Sequence, residues 1–249
     1  MVPSTQKKAE LITNPDMLAC SSRRQLMQPH ISSVKTGWPT PLALLALSLV
    51  PVIAGAARLY GLVSGAQITS QNARFFASPL PVVLHIIGAS LFCVFGAFQF
   101  WQGFRTRNPR LHRVAGCIAG LSGLVAASSG LWMNQFYPYA ENDGPLLYGF
   151  RLLFGVGMLV AVVLGFLTIA RRKFAEHGAW MARGYAIGLG AGTQALIQLL
   201  WIFTVGVREE LPRALLMAAG WVVNLLVAEW AIERGLSVQR EYLFFKMTV

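Results

Sequence analysis

Five ionisable side chains lie inside apolar stretches of this 249-residue chain, namely Arg58, His85, Arg151, Arg183 and Glu229, and His112 and His177 stand at the mouths of two more. Membrane helices rarely keep such groups unless they are paired or used. Histidine exchanges a proton near neutral pH and ligates metals. Two histidines from different helices can hold one haem iron axially. His85, His112 and His177 are therefore the candidate haem or ligand-binding residues, with haem b or a quinone-like molecule as the expected ligand. Guanidinium groups offer paired donors to carboxylate or phosphate. No catalytic residue can be assigned from these types and spacings.

Depth along the stretches separates two groups. Arg58, His85, Arg151, Gln194 and Gln198 fall at one level, with Asn134 and Gln135 close by. If they converge they form an outer polar cup suited to an anionic or carbonyl-bearing ligand. Against this, Arg58 and Arg151 can simply snorkel to headgroups, and His85 can be a satisfied core histidine. At the other level stand His112, His177, Arg183 and Glu229. Arg183 and Glu229 share a depth, so an inner ion pair is expected. His112 and His177 begin different helices at one depth, where haem ligation competes with plain interfacial solvation.

The elements that position these groups follow from hydropathy. Hydrophobic residues make up 55% of the chain and charged ones 12%, against about 25% charged in a soluble domain. The apolar residues collect in blocks of about 20 or more, the length that crosses roughly 30 Å of hydrocarbon. In lipid every backbone amide must be satisfied internally, so the blocks are helices. Spans are predicted at 41–65, 81–103, 113–137, 147–170, 179–205 and 213–232, with Pro51 kinking the first. The fold class is all-α, an integral membrane bundle of six helices. Residues 1–37 read as a flexible cytoplasmic extension, 38–235 as the transmembrane domain and 236–249 as a cytoplasmic tail.

Lysine and arginine assign the orientation. Fifteen lie in the two terminal segments and the 104–113 and 171–178 loops, and three in the alternate connections. Both termini are therefore expected in the cytoplasm, with a bacterial inner membrane as the expected location. The net charge of +11 reflects this bias; no aromatic-interleaved basic patch points to nucleic acid. Cys20, Cys93 and Cys117 lack paired spacing, which argues against a zinc site or disulfide framework. No metal site is expected. Walker, GxGxxG, HExxH and GxSxG motifs are absent, so neither a pump nor a soluble-type hydrolase is supported.

Small residues at four-residue spacing, Gly184, Gly188 and Gly192 on the fifth span and Gly116 and Gly120 on the third, are expected to let helices approach closely. On the second span His85, Ala89, Phe92, Gly96, Gln99 and Gly103 form a stripe expected to face the bundle interior. A weak parallel repeat relates FRTRNPRLHRVAG to ARRKFAEHGAWMARGYA. Carriers often have broken helices in matching halves; apart from Pro51 none is evident here.

Three stretches carry a family resemblance: His85 with GASLFCVFGAFQF, then RNPRLHRVAG, then FAEHGAWMARGYA. Over residues 45–232 the chain resembles the membrane proteins grouped as domain of unknown function 2306. The resemblance rests best on His112-Arg113 and on His177 followed by Trp180, Met181 and Arg183. Gly178 departs from it, standing where a basic residue is usual. The resemblance implies a multi-helix membrane protein with recurrent histidines and no established activity. The leading expectation is a haem- or quinone-associated redox membrane protein. The alternatives are a carrier or receptor for a small anionic molecule and a structural or assembly subunit. The expected partners are the lipid bilayer and a small hydrophobic or anionic ligand.

Overall fold

Four of the long helices begin on proline, which lacks the amide hydrogen that a first turn leaves unbonded and arrives with helical φ. A computed structural model describes residues 37–206 and 209–248, with side chains as far as residue 235. The helices are α1 (Pro39–Val63), α2 (Ala73–Ala77), α3 (Pro79–Gln99), α4 (Gln102–Arg107), α5 (Pro109–Phe136), α6 (Pro145–Ala170), α7 (Phe174–Gly188), α8 (Gly190–Thr204) and α9 (Glu210–Thr248). Among the described residues six spans are long and apolar enough to cross a membrane, α7 and α8 together making the fifth. The chain is a multi-pass membrane protein. Apart from Gly37, the predicted extension of residues 1–37 lies outside the described residues.

Lipid-facing surfaces are as apolar as the interior. Leu153, Leu200 and Phe203 are 64%, 66% and 80% exposed, a pattern that only a hydrocarbon surround would cover. Inside, small residues set the spacing. A methyl group on Gly88 would come within 2.9 Å of the Ser122 carbonyl oxygen, so α3 and α5 touch backbone to backbone there. The core joins Phe92, Cys93 and Ala97 of α3 to Ala119 of α5, Met158 of α6 and Tyr185 of α7. The Tyr185 hydroxyl donates to the Cys93 carbonyl at 2.9 Å, which satisfies a polar group deep in the bundle.

Three boundaries depart from expectation. The second span stops at Gln99, and Gly103 belongs to α4, so the interior stripe ends one step early. Trp101 and Phe104 stack there with centroids 6.5 Å apart; aromatic rings favour such interfacial positions. α9 continues as helix to Thr248, beyond the predicted end at 232. The fifth span is the third case, because α7 stops at Gly188 and α8 restarts at Gly190. The break is one tightened turn: Leu189 keeps helical dihedrals and its N–H donates to the Tyr185 oxygen at 2.8 Å. Pro51 sits within α1, whose helical run it does not end.

Candidate functional site

At the end of the bundle carrying the 64–78 and 137–144 connections, the helices part around a cavity of about 370 Å³. Phe92, Met158, Ile187 and Trp221 make its floor and one wall; His85, Asn134, Arg151 and Gln194 supply polar groups from four spans. Arg74, Tyr137 and Asp143 close the rim. The site thus has an apolar depth and a charged mouth, the form of a pocket for an amphipathic small molecule.

His85 is held in one orientation. Its Nδ1 lies 2.8 Å from the Ala126 carbonyl oxygen, and a carbonyl can only accept, so Nδ1 carries the hydrogen. Nε2 has no hydrogen-bond partner among the described residues, and the side chain lines the cavity. Gly130 makes room for the ring: a methyl group there would lie 3.1 Å from Cε1 and 3.2 Å from Nδ1.

The rim is built on Asp143. Its carboxylate, 3% exposed, accepts from Arg151 of α6 at 2.7 Å and from Arg213 of α9 at 2.8 Å. Asn142, at φ 61°, turns the chain into that position, a conformation asparagine tolerates better than most residues. Burial would raise the Asp143 carboxyl, but the two guanidinium groups outweigh it and hold it below the ordinary carboxylate range. Arg74 donates to the Pro138 carbonyl at 3.0 Å, while its buried Nε lacks a partner among the described residues. Burial lowers the Arg74 guanidinium; Asp143 opposes this, and Arg151, Arg58 and Arg213 add to it. Phe75 is held between Arg58 at 4.6 Å and Arg74 at 4.8 Å from its ring centre, both within cation–π range.

Of the five residues predicted for the cup, His85, Arg151 and Gln194 line this cavity. Arg58 and Gln198 line a neighbouring one of about 330 Å³, with Glu141, Glu209 and Arg213. Arg74 lines both, and the Asp143–Arg213 pair stands between them. Gln194 donates to the Met217 carbonyl at 2.8 Å.

The break in the fifth span borders the same cavity through Ile187, Gly188 and Ala191. Gly192 N bonds the Leu189 oxygen at 3.0 Å, a tightened turn. Asn224 of α9 donates to the Ala186 carbonyl at 3.1 Å and accepts from Thr193 at 2.7 Å. The tightened turn inside the bundle therefore has side-chain partners in place of water.

At the opposite end, Arg183 meets Glu229 through two parallel bonds of 2.6 and 2.8 Å. His177 Nδ1 lies 2.8 Å from the Gly165 oxygen. The Nδ1 of His112 is buried without a partner among the described residues, and its ring meets Phe104 edge-on at 6.3 Å. Neither histidine lines either of the two cavities. Among the described residues no cluster of three or more metal-ligating side chains occurs.

The family model described as predicted membrane protein, DUF2306, matches residues 82–232. The chain belongs to this family. No curated protein and no solved structure matches it. The DUF2306 match takes in His85, Arg151, Gln194 and Arg213 and leaves out Arg58 and Arg74.

In this DUF2306 chain the motif after His177 holds structure together locally. Arg183 stacks 4.9 Å from the Trp180 ring centre while pairing with Glu229, and Met181 fills the space beside Gly165. Sequence reasoning missed Arg74, Asp143 and Arg213 at the cavity mouth. One signal for Asp143 was available: the 138–146 connection has no basic residue yet holds two acidic ones, Glu141 and Asp143, so their partners had to come from elsewhere.

Proposed function

We propose that this protein binds a small organic anion with an apolar portion in the larger cavity, as a carrier or receptor with both termini in the cytoplasm and the cavity mouth on the opposite side. One observation carries this reading: Arg74 and Arg151 converge at the mouth of a cavity whose depth is apolar, and the one carboxylate lining it among the described residues, Asp143, is shared with Arg213. The anionic end would meet the guanidinium groups and the apolar end would rest on Phe92, Met158 and Ile187.

The test is thermal unfolding of the detergent-purified protein with octanoate, octanesulfonate and octyl phosphate, against octanol and octylamine. The anions are expected to raise Tm, with the alcohol and amine without effect. Arg151→Ala should weaken binding roughly 10- to 100-fold, the worth of a charge-assisted bond. Equal shifts from octanol and octanesulfonate would defeat the proposal. Sidedness is checked with Glu141→Cys in a cysteine-free background, which an impermeant maleimide should label in intact cells.

A second reading, haem or quinone redox, keeps one supporting observation. His177 has Nδ1 anchored on the Gly165 carbonyl and no partner at Nε2 among the described residues, the posture of a ligating imidazole. His85 belongs to the other end of the bundle, so it does not share that site. A Soret band in protein made with ample haem, lost in His177→Ala, would favour the haem form of this reading; a spectrum with neither a Soret band nor the near-ultraviolet change of a reducible quinone would remove the reading.

A further inference from the structure

The geometry points to proton-coupled binding: the anion enters the larger cavity together with one proton, which is carried on Nε2 of His85. This inference rests on the anion reading above and goes beyond it by naming a coupled ion and the residue that takes it.

With Nδ1–H committed to the Ala126 carbonyl, neutral His85 turns only a lone pair toward the cavity. A lone pair beside a bound anion is repulsive. A proton on Nε2 converts the same nitrogen into a donor without moving the ring, because Nδ1 keeps its hydrogen in both states. Nothing else changes covalently; one N–H bond forms with a proton from solution.

The surroundings make proton and anion depend on each other. Among the described residues, the titratable or charged groups that line the cavity around His85 are Arg74 from α2, Tyr137, Tyr139 and Asp143 from the 137–144 connection, and Arg151 from α6. The cavity-lining residues from α5, α7, α8 and α9 include none. In the empty cavity the Arg74 and Arg151 charges oppose a third positive charge, and Asp143 is already bonded to Arg151 and Arg213. An incoming anion offsets that repulsion, so each ligand strengthens the other. Such coupling is reciprocal by linkage.

The test follows proton uptake with a pH-indicator dye in weakly buffered, detergent-purified protein on addition of octanesulfonate, an anion that does not itself titrate near neutral pH. The expected result is uptake approaching one proton per bound anion, with affinity falling about tenfold per pH unit at alkaline pH. His85→Gln should bind octanesulfonate with no proton uptake and no such pH dependence. If that variant fails to fold, nitrogen-15 histidine spectra of the wild type replace it. Both His85 and His177 should be Nδ1–H tautomers without the anion, and one of the two signals should become imidazolium when the anion is bound. Octanesulfonate binding without proton uptake, or uptake unchanged in His85→Gln, overturns the coupling and leaves the cavity reading standing. Failure of octanesulfonate to bind overturns both.

Discussion

His85 donates from Nδ1 to the carbonyl oxygen of Ala126 across 2.8 Å, one membrane helix to the next. That single bond decides which nitrogen faces the cavity. It also depends on a residue that makes no hydrogen bond to the ring: Gly130, one turn beyond Ala126, leaves the space the imidazole occupies. Gly130→Ala should push the ring aside. We expect anion-induced stabilisation to fall at least several-fold while the ligand-free Tm changes little, as read by thermal unfolding with and without octanesulfonate.

The Asp143 bridge ties the 137–144 connection to α6 and α9. Asp143→Asn should destabilise the protein by about 1–3 kcal/mol, because it leaves two half-buried guanidinium groups without their shared carboxylate. Denaturant unfolding in detergent measures this.

Acid should act through the same carboxyl. Its folded value is depressed below the ordinary carboxylate value by Arg151 and Arg213, so its stabilising contribution is complete above the ordinary carboxylate range and is lost as pH falls through the depressed value. Between about pH 5 and pH 3, wild type should lose more Tm than Asp143→Asn, in which that group cannot titrate. Parallel loss in the two proteins would remove Asp143 from the account.

Close packing around the interrupted helix is equally open to test. A methyl group on Gly192 would collide with the Leu47 carbonyl of α1, and backbone has nowhere to move. Gly192→Ala should cost about 1–3 kcal/mol by overpacking. Gly149→Ala, with nothing within 4 Å of the new methyl group, should be neutral to slightly stabilising and serves as the control in the same unfolding series.

At the other end, the Arg183–Glu229 pair is partly exposed, at 30% and 42% of side-chain surface. Its worth is therefore modest, about 1 kcal/mol. Glu229→Gln and Arg183→Gln should each destabilise, and the double variant should recover part of the loss in a double-mutant cycle. Strict additivity would mean that the bonds at 2.6 and 2.8 Å carry no net coupling.

Much of the framework was legible in the chain itself. Prolines at 39, 79, 109 and 145 mark four helix starts, and the apolar blocks mark all six spans. The helix break was not legible. Gly188-Leu189-Gly190 sits inside an unbroken apolar run, and the partner that accommodates it, Asn224, comes from another span. The cup was legible in part: depth along a helix follows from residue number at 1.5 Å per residue, which grouped His85, Arg151 and Gln194.

By itself the sequence determined that this chain crosses a membrane six times, because hydrocarbon thickness and the need to satisfy backbone amides act on local composition. Only the tertiary structure decided which polar groups meet. Each residue turns a helix by roughly 100°, so whether Arg58 faces His85 depends on how α1 is rotated and tilted against its neighbours. Packing put Arg58 against Phe75, beside a second cavity. The same packing brought Arg74, Asp143 and Arg213, from a short helix, a connection and the last span, to one mouth, since electrostatic pairing acts through space and ignores separation along the chain.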